Sequence, residues 1–289
     1  MKFGLRYCNT GRYVNPARAV ELVQAGEEAG FESAWTVEHT VVPEGYLSAY
    51  PYSPDGKMAG GVNDIPIPDP LIWMAYVGAA TSRIRLATGI LILPQHNPVI
   101  TAKQVASLDF MTGGRVILGI GVGWLEEEFD ALGSSFPDRG PRTDEYIAAL
   151  RELWSSKKPT FAGEWVSFAG AHCQPQPPGG RVPIVVGGHS RPAARRAGRL
   201  GDGFFPARGL SEELVEVMRT AADAAGRDPD AVEITMSMPD DLEDLPRLAA
   251  LGVKRVLVPV TPMAGLPTAI AGPKEALDWR ATIEEYADV

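Results

Sequence analysis

The chain has 289 residues, 45% of them hydrophobic, and a formal net charge of −9 at pH 7. The apolar fraction excludes a disordered or fibrous protein, and the acidic balance argues against nucleic acids and anionic membranes as partners. Apolar runs such as residues 90–93 are too short to span a bilayer, and residues 1–7 (MKFGLRY) lack an apolar signal region, so we expect a cytoplasmic protein.

Strand-like and helix-like segments alternate from the first residues onward. The predicted strands are 2–7, 33–38, 84–92, 115–120, 182–187, 203–206, 231–236 and 255–260. The predicted helices are 16–29, 68–81, 98–112, a region around 146–154, 191–201, 211–226, 241–251 and 273–287. The first helix illustrates the signals, because Asn15 is a typical N-cap, Pro16 suits the first turn and Gly30 is a typical stop.

Eight strands, each followed by a helix, predict parallel strands joined by right-handed crossovers. In a chain of this length, this α/β pattern fits a closed (β/α)8 TIM barrel better than a doubly wound sheet. We expect one domain over residues 1–289, with an insertion at 159–180, where Pro and Gly residues break the alternation. The two cysteines and four histidines do not cluster at metal-binding spacing, so no metal site is expected.

Active sites of such barrels lie at the carboxyl ends of the strands, which directs attention to the residues just after each predicted strand. Glu38 and His39 stand at the end of the second strand. Histidine titrates near neutral pH and suits proton transfer, while Glu38 can orient the imidazole or accept hydrogen bonds from a ligand. The alternative is that both groups simply end a strand and meet solvent, but their position at the barrel mouth favours the functional interpretation.

Glycine-containing segments lie in the third strand and after the fourth. The first comprises Thr88, Gly89 and Ile90, and the second comprises Gly121, Val122 and Gly123. In the first, glycine permits either close approach of a ligand or a plain barrel bulge. The second lacks the last glycine of a dinucleotide-binding G-x-G-x-x-G motif, and we expect its glycines to let a flat ring approach the backbone.

The residues that follow the second glycine segment are aromatic and acidic. Trp124 is interpreted either as a cover for an aromatic ligand or as part of the core. Residues 126–128 are three glutamates, which favour the N-terminal end of a helix dipole. We expect them to form a solvent-exposed first turn. His96, which precedes a helix start, is either an exposed loop residue or a site residue.

The segment after the fifth strand combines glycines, a hydroxyl group and a helix start. It comprises Gly187, Gly188, His189 and Ser190. Backbone N–H groups at a helix start form a phosphate cradle, and barrels often bind phosphate in this region. Arg191, Arg195 and Arg196 add positive charge. A plain turn with exposed arginines is the alternative, and we favour phosphate binding.

Residues 39–67 show neither helical nor strand periodicity and contain Tyr46, Tyr50 and Tyr52. Structureless loops of this length are uncommon unless they cover a site. We therefore predict a lid-like loop that forms a wall of the substrate pocket, with a disordered surface excursion as the alternative.

Together these segments make the sequence resemble the luciferase-like monooxygenase superfamily, and within it the branch that depends on a deazaflavin, coenzyme F-420. The resemblance covers nearly the whole chain. It rests on five blocks, GFESAWTVEH (30–39), SRIRLATGILILPQHNPV (82–99), GGRVILGIGVGWLEEEFDALG (113–133), RGPRTDEYIAALRELW (139–154) and PIVVGGHSRPAARRAGRLGDGFFP (183–206). The family fold is a (β/α)8 barrel with an insertion region, in agreement with the independent count of strands.

The resemblance implies roles for individual residues. His39 matches an active-site histidine beside the ring, and Glu38 matches an acidic residue that contacts the polar edge of the ring. Gly89 and Ile90, after Thr88, match a non-prolyl cis peptide that forms a bulge behind the central ring. The remaining matches are a loop near the cofactor (Gly121, Val122 and Gly123) and a phosphate-binding turn (Gly187, Gly188, His189 and Ser190).

Two positions depart from the sugar-phosphate and alcohol dehydrogenases of this branch. Those enzymes have an acidic residue where this chain has Trp124, and Asp where it has Glu38. We therefore expect a more apolar substrate pocket, formed in part by Trp124 and Tyr46, and a substrate class different from that of those dehydrogenases.

The function that the resemblance implies is hydride transfer between bound coenzyme F-420 and a small organic substrate, which the sequence does not identify. An FMNH2-dependent monooxygenase that uses O2, with FMN as the cofactor, is one alternative. A flavin- or ligand-binding barrel without catalysis is another. The resemblance also implies a homodimer.

Overall fold

The computed structural model describes residues 1–53, 55–58, 63–207, 209–262 and 268–289. Its strands are β1 (Lys2–Arg6), β2 (Ser33–Thr36), β3 (Arg85–Thr88), β4 (Leu91–Ile92), β5 (Val116–Gly121), β6 (Thr160–Ala162), β7 (Ser167–Ala169), β8 (Ile184–Gly187), β9 (Gly203–Phe205), β10 (Glu233–Ser237) and β11 (Val253–Pro259). Its helices are α1 (Pro16–Ala29), α2 (Pro70–Gly78), α3 (Pro98–Thr112), α4 (Glu126–Ala131), α5 (Arg139–Ser155), α6 (Arg191–Leu200), α7 (Glu212–Ala224), α8 (Leu245–Ala250), α9 (Pro273–Asp278) and α10 (Arg280–Glu285).

Eight parallel strands close into a barrel. Their order around the ring is β1, β2, β3, β5, β8, β9, β10 and β11, and β11 pairs back with β1. Helices connect the successive strands, as parallel crossovers require. The predicted (β/α)8 TIM barrel is therefore confirmed.

Several helices begin with a polar cap followed by proline. Asn15, Asp69 and Asn97 each accept hydrogen bonds from first-turn N–H groups of α1, α2 and α3, and proline follows each of them. This arrangement satisfies N–H groups that have no partner within the helix. At its other end, α1 stops at Gly30, whose φ of 101° lies in the left-handed region that favours glycine. No helix in the described ranges combines the length and the apolar character that a membrane span requires.

The strand predicted at 84–92 is interrupted in the structure. β3 ends at Thr88, and β4 resumes after Gly89 and Ile90 to pair with β5. The final helix predicted at 273–287 is likewise divided at Trp279. Within segment 159–180, β6 and β7 form an antiparallel pair separate from the barrel sheet. The interruption in the third strand is the one that matters for function, because it lies at the barrel mouth.

Inward-facing side chains fill the middle of the barrel. This layer consists of Trp35, Ala87, Ile117, Val185, Phe205 and Leu257. Gly4 leaves room for it, because a Cβ atom at this position would lie 2.7 Å from the Leu257 side chain. The layer separates a charged floor, at the amino ends of the strands, from the open mouth at their carboxyl ends.

On the floor of the barrel, the buried Arg255 forms ion pairs with two half-buried carboxylates. Its guanidinium donates two hydrogen bonds to Glu32, of 2.8 and 2.9 Å, and lies 2.5 Å from a carboxylate oxygen of Glu233. Burial acts to raise the pKa of Glu32, but the hydrogen bonds and charge of Arg255 outweigh burial and lower it from 4.5 to about 2. The bidentate pair joins β11 to the residue that precedes β2.

We expect Arg255→Met to lower the free energy of unfolding by about 3 kcal/mol near neutral pH, at the lower end of the range for buried pairs, because it leaves the half-buried carboxylates of Glu32 and Glu233 without their main partner. Since the pKa of Glu32 is lowered in the folded state, the pair stabilises fully above pH 4.5 and loses this contribution as the pH falls towards 2. Urea denaturation should therefore show a smaller difference from the wild type at about pH 3 than at neutral pH.

The matched control is Arg247→Met, which removes an exposed arginine paired with Asp244. Exposed pairs of this kind contribute about 1 kcal/mol or less. Equal losses of stability in the two variants would contradict the role given to the barrel floor.

Candidate active site

A cavity of about 550 Å³ opens at the carboxyl ends of the barrel strands, with a mostly apolar wall. The predicted site residues that line it are Glu38, His39, Gly89, Ile90, Gly121, Val122, Gly123, Trp124, Gly187 and Gly188. Four other predicted site residues do not belong to the described part of the cavity wall: Thr88, Tyr46, His189 and Ser190. The structure thus brings most of the predicted site residues to one cavity.

Glu38 follows β2, is buried, and is hydrogen-bonded through both carboxylate oxygens. Oε2 accepts a hydrogen bond of 2.5 Å from the N–H of Ile92, and Oε1 lies 2.9 Å from Nε2 of His96. The resemblance implies that Glu38 contacts the edge of a bound ring, whereas here both oxygens have partners within the protein. Glu38 therefore fastens the end of β2 to β4 and to the turn after it.

His96 is a half-buried support for Glu38 rather than an exposed loop residue. Burial disfavours its imidazolium form, but the hydrogen bond to Glu38 and the charge of that carboxylate outweigh burial. The pKa of His96 is therefore raised above the ordinary 6.5.

His39 is held by a second buried carboxylate, Glu128 in α4. Nδ1 of His39 lies 3.0 Å from Oε2 of Glu128, while Oε1 accepts hydrogen bonds of 2.6 and 3.2 Å from the N–H groups of Thr40 and Val41. The Glu128 side chain is 0% exposed. A carboxylate at Nδ1 favours the tautomer protonated there, which leaves Nε2 as an acceptor. Nε2 has no hydrogen-bond partner in the part of the chain that the structure describes.

The expectation that residues 126–128 form a solvent-exposed turn is wrong for two of them. Glu126 is exposed, but Glu127 is half-buried and accepts hydrogen bonds of 2.6 and 3.1 Å from the N–H groups of Leu47 and Ser48. Glu128 is buried against the same loop. Because the three residues are identical, the sequence does not indicate which of their side chains points inward. The two glutamates fasten the loop after β2 to α4.

The Gly89–Ile90 peptide bond is cis, which confirms the feature implied by the resemblance. Nearby glycines make room for this segment. A Cβ atom at Gly119 would lie 1.9 Å from the Thr88 carbonyl oxygen, and one at Gly121 or Gly187 would lie 2.6 Å from the Ile90 side chain. Thr88 itself is buried, and its hydroxyl donates a hydrogen bond of 2.6 Å to the Gly119 carbonyl. The three glycines therefore leave room for the bulge at Gly89 and Ile90. Gly121 and Gly187 also line the cavity.

Trp124 lies at the centre of an aromatic cluster between the site and the loop 39–67. Its ring makes edge-to-face contacts with His39, Tyr46 and Tyr50, at centroid distances of 5.8, 5.5 and 5.1 Å. Trp124 and Tyr50 line the cavity. Tyr46 is buried away from it, and its hydroxyl accepts a hydrogen bond of 2.9 Å from the N–H of Met58. Residues 54 and 59–62 of the predicted lid-like loop lie outside the described residues.

The predicted phosphate-binding turn is divided between the cavity and a helix cap. Gly188 lines the cavity, and its N–H donates a hydrogen bond of 3.1 Å to the Phe205 carbonyl. The Ser190 hydroxyl caps α6 by accepting a hydrogen bond of 3.3 Å from the N–H of Ala193. Phosphate binding at this turn stays a prediction.

Two of the three arginines near this turn are paired with carboxylates. Arg191 pairs with Glu213, and Arg196 pairs with Asp144 and donates a hydrogen bond of 2.9 Å to a backbone carbonyl. Their charges are therefore partly balanced within the protein. Pro192 has no N–H, and the N–H groups of Ala193 and Ala194 bond to Ser190, so this helix start offers few free donors to an anion.

Sequence reasoning missed several residues of the wall. Arg6 and Tyr7 at the end of β1, Phe205 in β9, and Met236 and Ser237 in β10 all line the cavity. The rule that barrel sites lie at strand ends points to these positions, but they form no motif. In the described ranges, His, Cys, Asp and Glu residues form no group of three or more that could bind a metal ion.

We expect His96→Gln to destabilise the protein more in mild acid than in base. Because the pKa of His96 is raised in the folded state, its contribution is complete below pH 6.5 and is lost as the pH rises through the raised value. Thermal unfolding at about pH 6 and about pH 9 measures this difference. The control is His172→Gln, which removes an exposed histidine. A His96 effect that grows with pH would contradict the pairing with Glu38.

Residues 3–239 match the model of the luciferase-like monooxygenase family. An uncharacterized protein of Mycobacterium tuberculosis is 31% identical over 260 residues, which cover 89% of this chain and 91% of that protein. An F420-dependent glucose-6-phosphate dehydrogenase of Mycolicibacterium gilvum is 31% identical over 255 residues, which cover 85% of this chain and 70% of that enzyme.

A solved structure described as an F420-dependent secondary alcohol dehydrogenase in complex with an F420-acetone adduct is also similar. Its TM-score is 0.75 at 20% sequence identity, with 98% of each chain covered. At this identity the likeness shows the fold alone, and it agrees with the closed barrel. From the family model and the relatives at 31% identity, the chain belongs to the luciferase-like monooxygenase family.

Proposed function

We propose that this protein is an oxidoreductase that transfers a hydride between bound coenzyme F-420 and a small organic substrate. The observation that carries the proposal is the His39–Glu128 pair, since it presents an oriented imidazole at the wall of a large, mostly apolar cavity. The F420-dependent relatives support the choice of cofactor.

The residues of the cavity fit a flat, three-ring cofactor. A volume of about 550 Å³ is within the usual range for sites that bind cofactors. Gly121 and Gly187 present backbone rather than side chains to the cavity, and Ile90 and Ile92 add an apolar surface. The imidazole of His39, whose Nε2 has no partner among the described residues, adds a polar group to this wall. Such a combination suits a ring that has broad apolar faces and a polar edge.

In the proposed mechanism the chain positions groups and moves a proton. When bound, the deazaflavin supplies the hydride chemistry. Glu128 would hold the proton on Nδ1 of His39, so that Nε2 could accept the proton that the substrate loses when it also loses hydride. In the reverse direction, Nε2 would return this proton to the substrate. Trp124 and Tyr50 help to exclude water from the cavity.

The choice of cofactor is tested by fluorescence titration of the purified protein with coenzyme F-420 and with FMN. We expect F-420 to bind at least about tenfold more tightly than FMN. Val122→Trp, which fills part of the cavity, should weaken F-420 binding by at least about tenfold. Val99→Trp, at an exposed position in α3, is the matched control and should not. Tighter binding of FMN, or equal effects of the two variants, would contradict the proposal.

The role of Glu128 is tested by nitrogen NMR of the His39 imidazole. In the wild type we expect the neutral ring to carry its proton on Nδ1, because Glu128 accepts a hydrogen bond there. Glu128→Gln should lose this fixed tautomer and lower turnover by about 10²-fold, within the usual range for proton transfer. Glu126→Gln, an exposed neighbour in α4, should change neither. An unchanged His39 spectrum in Glu128→Gln would exclude the positioning role.

A further inference from the structure

Arg6, the last residue of β1, is buried and lines the cavity with little to balance its charge. Its Nη1 donates a hydrogen bond to the Ser237 hydroxyl. Its Nε is buried without a hydrogen-bond partner. Among the described residues no carboxylate forms an ion pair with it. A guanidinium offers five N–H donors, so most of this donor capacity is unused.

Other buried arginines of the described chain have stronger partners. Arg142, Arg196 and Arg255 each pair with a carboxylate. Arg115 donates five hydrogen bonds to backbone and hydroxyl oxygens. Burying a charge without such partners is costly. The exception at Arg6 therefore needs a reason, and its position on the cavity wall suggests that a ligand supplies the missing partner.

Two aromatic rings hold the guanidinium in place without neutralising it. Its central carbon lies 4.5 Å from the ring centroid of Tyr7 and 5.0 Å from that of Phe205. Cation–π attraction of this kind is smaller than the cost of removing a charge from water. The two rings therefore fix the position of the guanidinium but do not balance its positive charge.

Tyr7, whose ring lies against Arg6, also lines the cavity and carries a hydroxyl group that can donate a hydrogen bond. Consecutive strand residues normally point to opposite faces, yet Arg6 and Tyr7 both line the cavity. Tyr7 has a φ of 68°, a left-handed conformation that is uncommon for a bulky residue and often found at functional sites. Burial raises the pKa of Tyr7 above its ordinary value of 10, so its hydroxyl stays protonated and can donate.

The other charged residues of the wall do not compete for Arg6. Glu38 is already bonded to Ile92 and His96, and Asp240 is exposed at the rim. The aromatic rings of Tyr7 and Phe205 flank Arg6, and Met236 adds an apolar side chain to the same cavity. An anionic group joined to an apolar body therefore matches this part of the cavity.

We infer that the substrate is a carboxylic acid with an apolar body, and that Arg6 binds its carboxylate together with the hydroxyls of Tyr7 and Ser237. The planar fork of arginine matches the two oxygens of a carboxylate. The inference rests on the proposed function, because it names the substrate class of that same site.

The test compares three acids with their neutral amides: acetate with acetamide, isovalerate with isovaleramide, and benzoate with benzamide. Calorimetric titration is carried out on the protein with F-420 and on the protein without it. At least one acid should bind at least about tenfold more tightly than its amide. Arg6→Met should abolish this preference while F-420 affinity stays within about threefold of the wild type. Arg12→Met, which removes an exposed arginine shortly after β1, is the matched control and should keep the preference.

Three results would overturn the inference. The first is that no acid binds more tightly than its amide. The second is that Arg6→Met keeps the preference for acids. The third is that Arg6→Met loses affinity for F-420 and keeps its affinity for acids, because Arg6 would then bind the cofactor. If Arg6→Met does not fold, Tyr7→Phe and Ser237→Ala replace it, and each should weaken the tightest acid by about threefold. Unchanged affinity in both would again overturn the inference.

The two proposals fail separately in this experiment. Failure of F-420 to bind would overturn the proposed function, whereas the preference for acids over amides is still measured on the protein without cofactor.

Discussion

Two buried carboxylates, Glu38 and Glu128, hold the mouth of the barrel in its functional shape. Glu38 ties the end of β2 to β4 and His96, and Glu128 ties the next residues, from His39 to Val41, to α4. Glu38 accepts the N–H of Ile92 at the end of β4, and Glu128 accepts the N–H groups of Thr40 and Val41 in the loop after β2. Because both act on consecutive residues, the position of His39 is determined from two sides. The proposed chemistry depends on this fixed imidazole.

The buried arginines on the floor and at the mouth of the barrel differ in their partners. On the floor, Arg255 is matched by Glu32 and Glu233, so that the pair contributes to stability. At the mouth, Arg6 has a single hydroxyl acceptor and two aromatic neighbours. Functional sites often keep such unsatisfied groups, because a ligand completes them. The contrast within one barrel separates a structural arginine from one that we assign to substrate binding.

Much of the fold follows from the sequence, because strand periodicity, polar caps with proline, and glycine stops are local signals. These signals predict the barrel and the start of α1 and α3. The inward turn of Glu128 and the burial of Tyr46 are not local properties, since they depend on which loop packs against α4. For the same reason the sequence does not single out Arg6, whose significance comes from the partners that it lacks.

The most direct test of this account is a crystal structure of the protein with oxidised coenzyme F-420. We expect the ring to lie in the cavity against Ile90 and beside His39, with the hydrogen bond between His39 and Glu128 retained. A ring bound outside this cavity, or a His39 that has left Glu128 and turned away from the ring, would contradict the account.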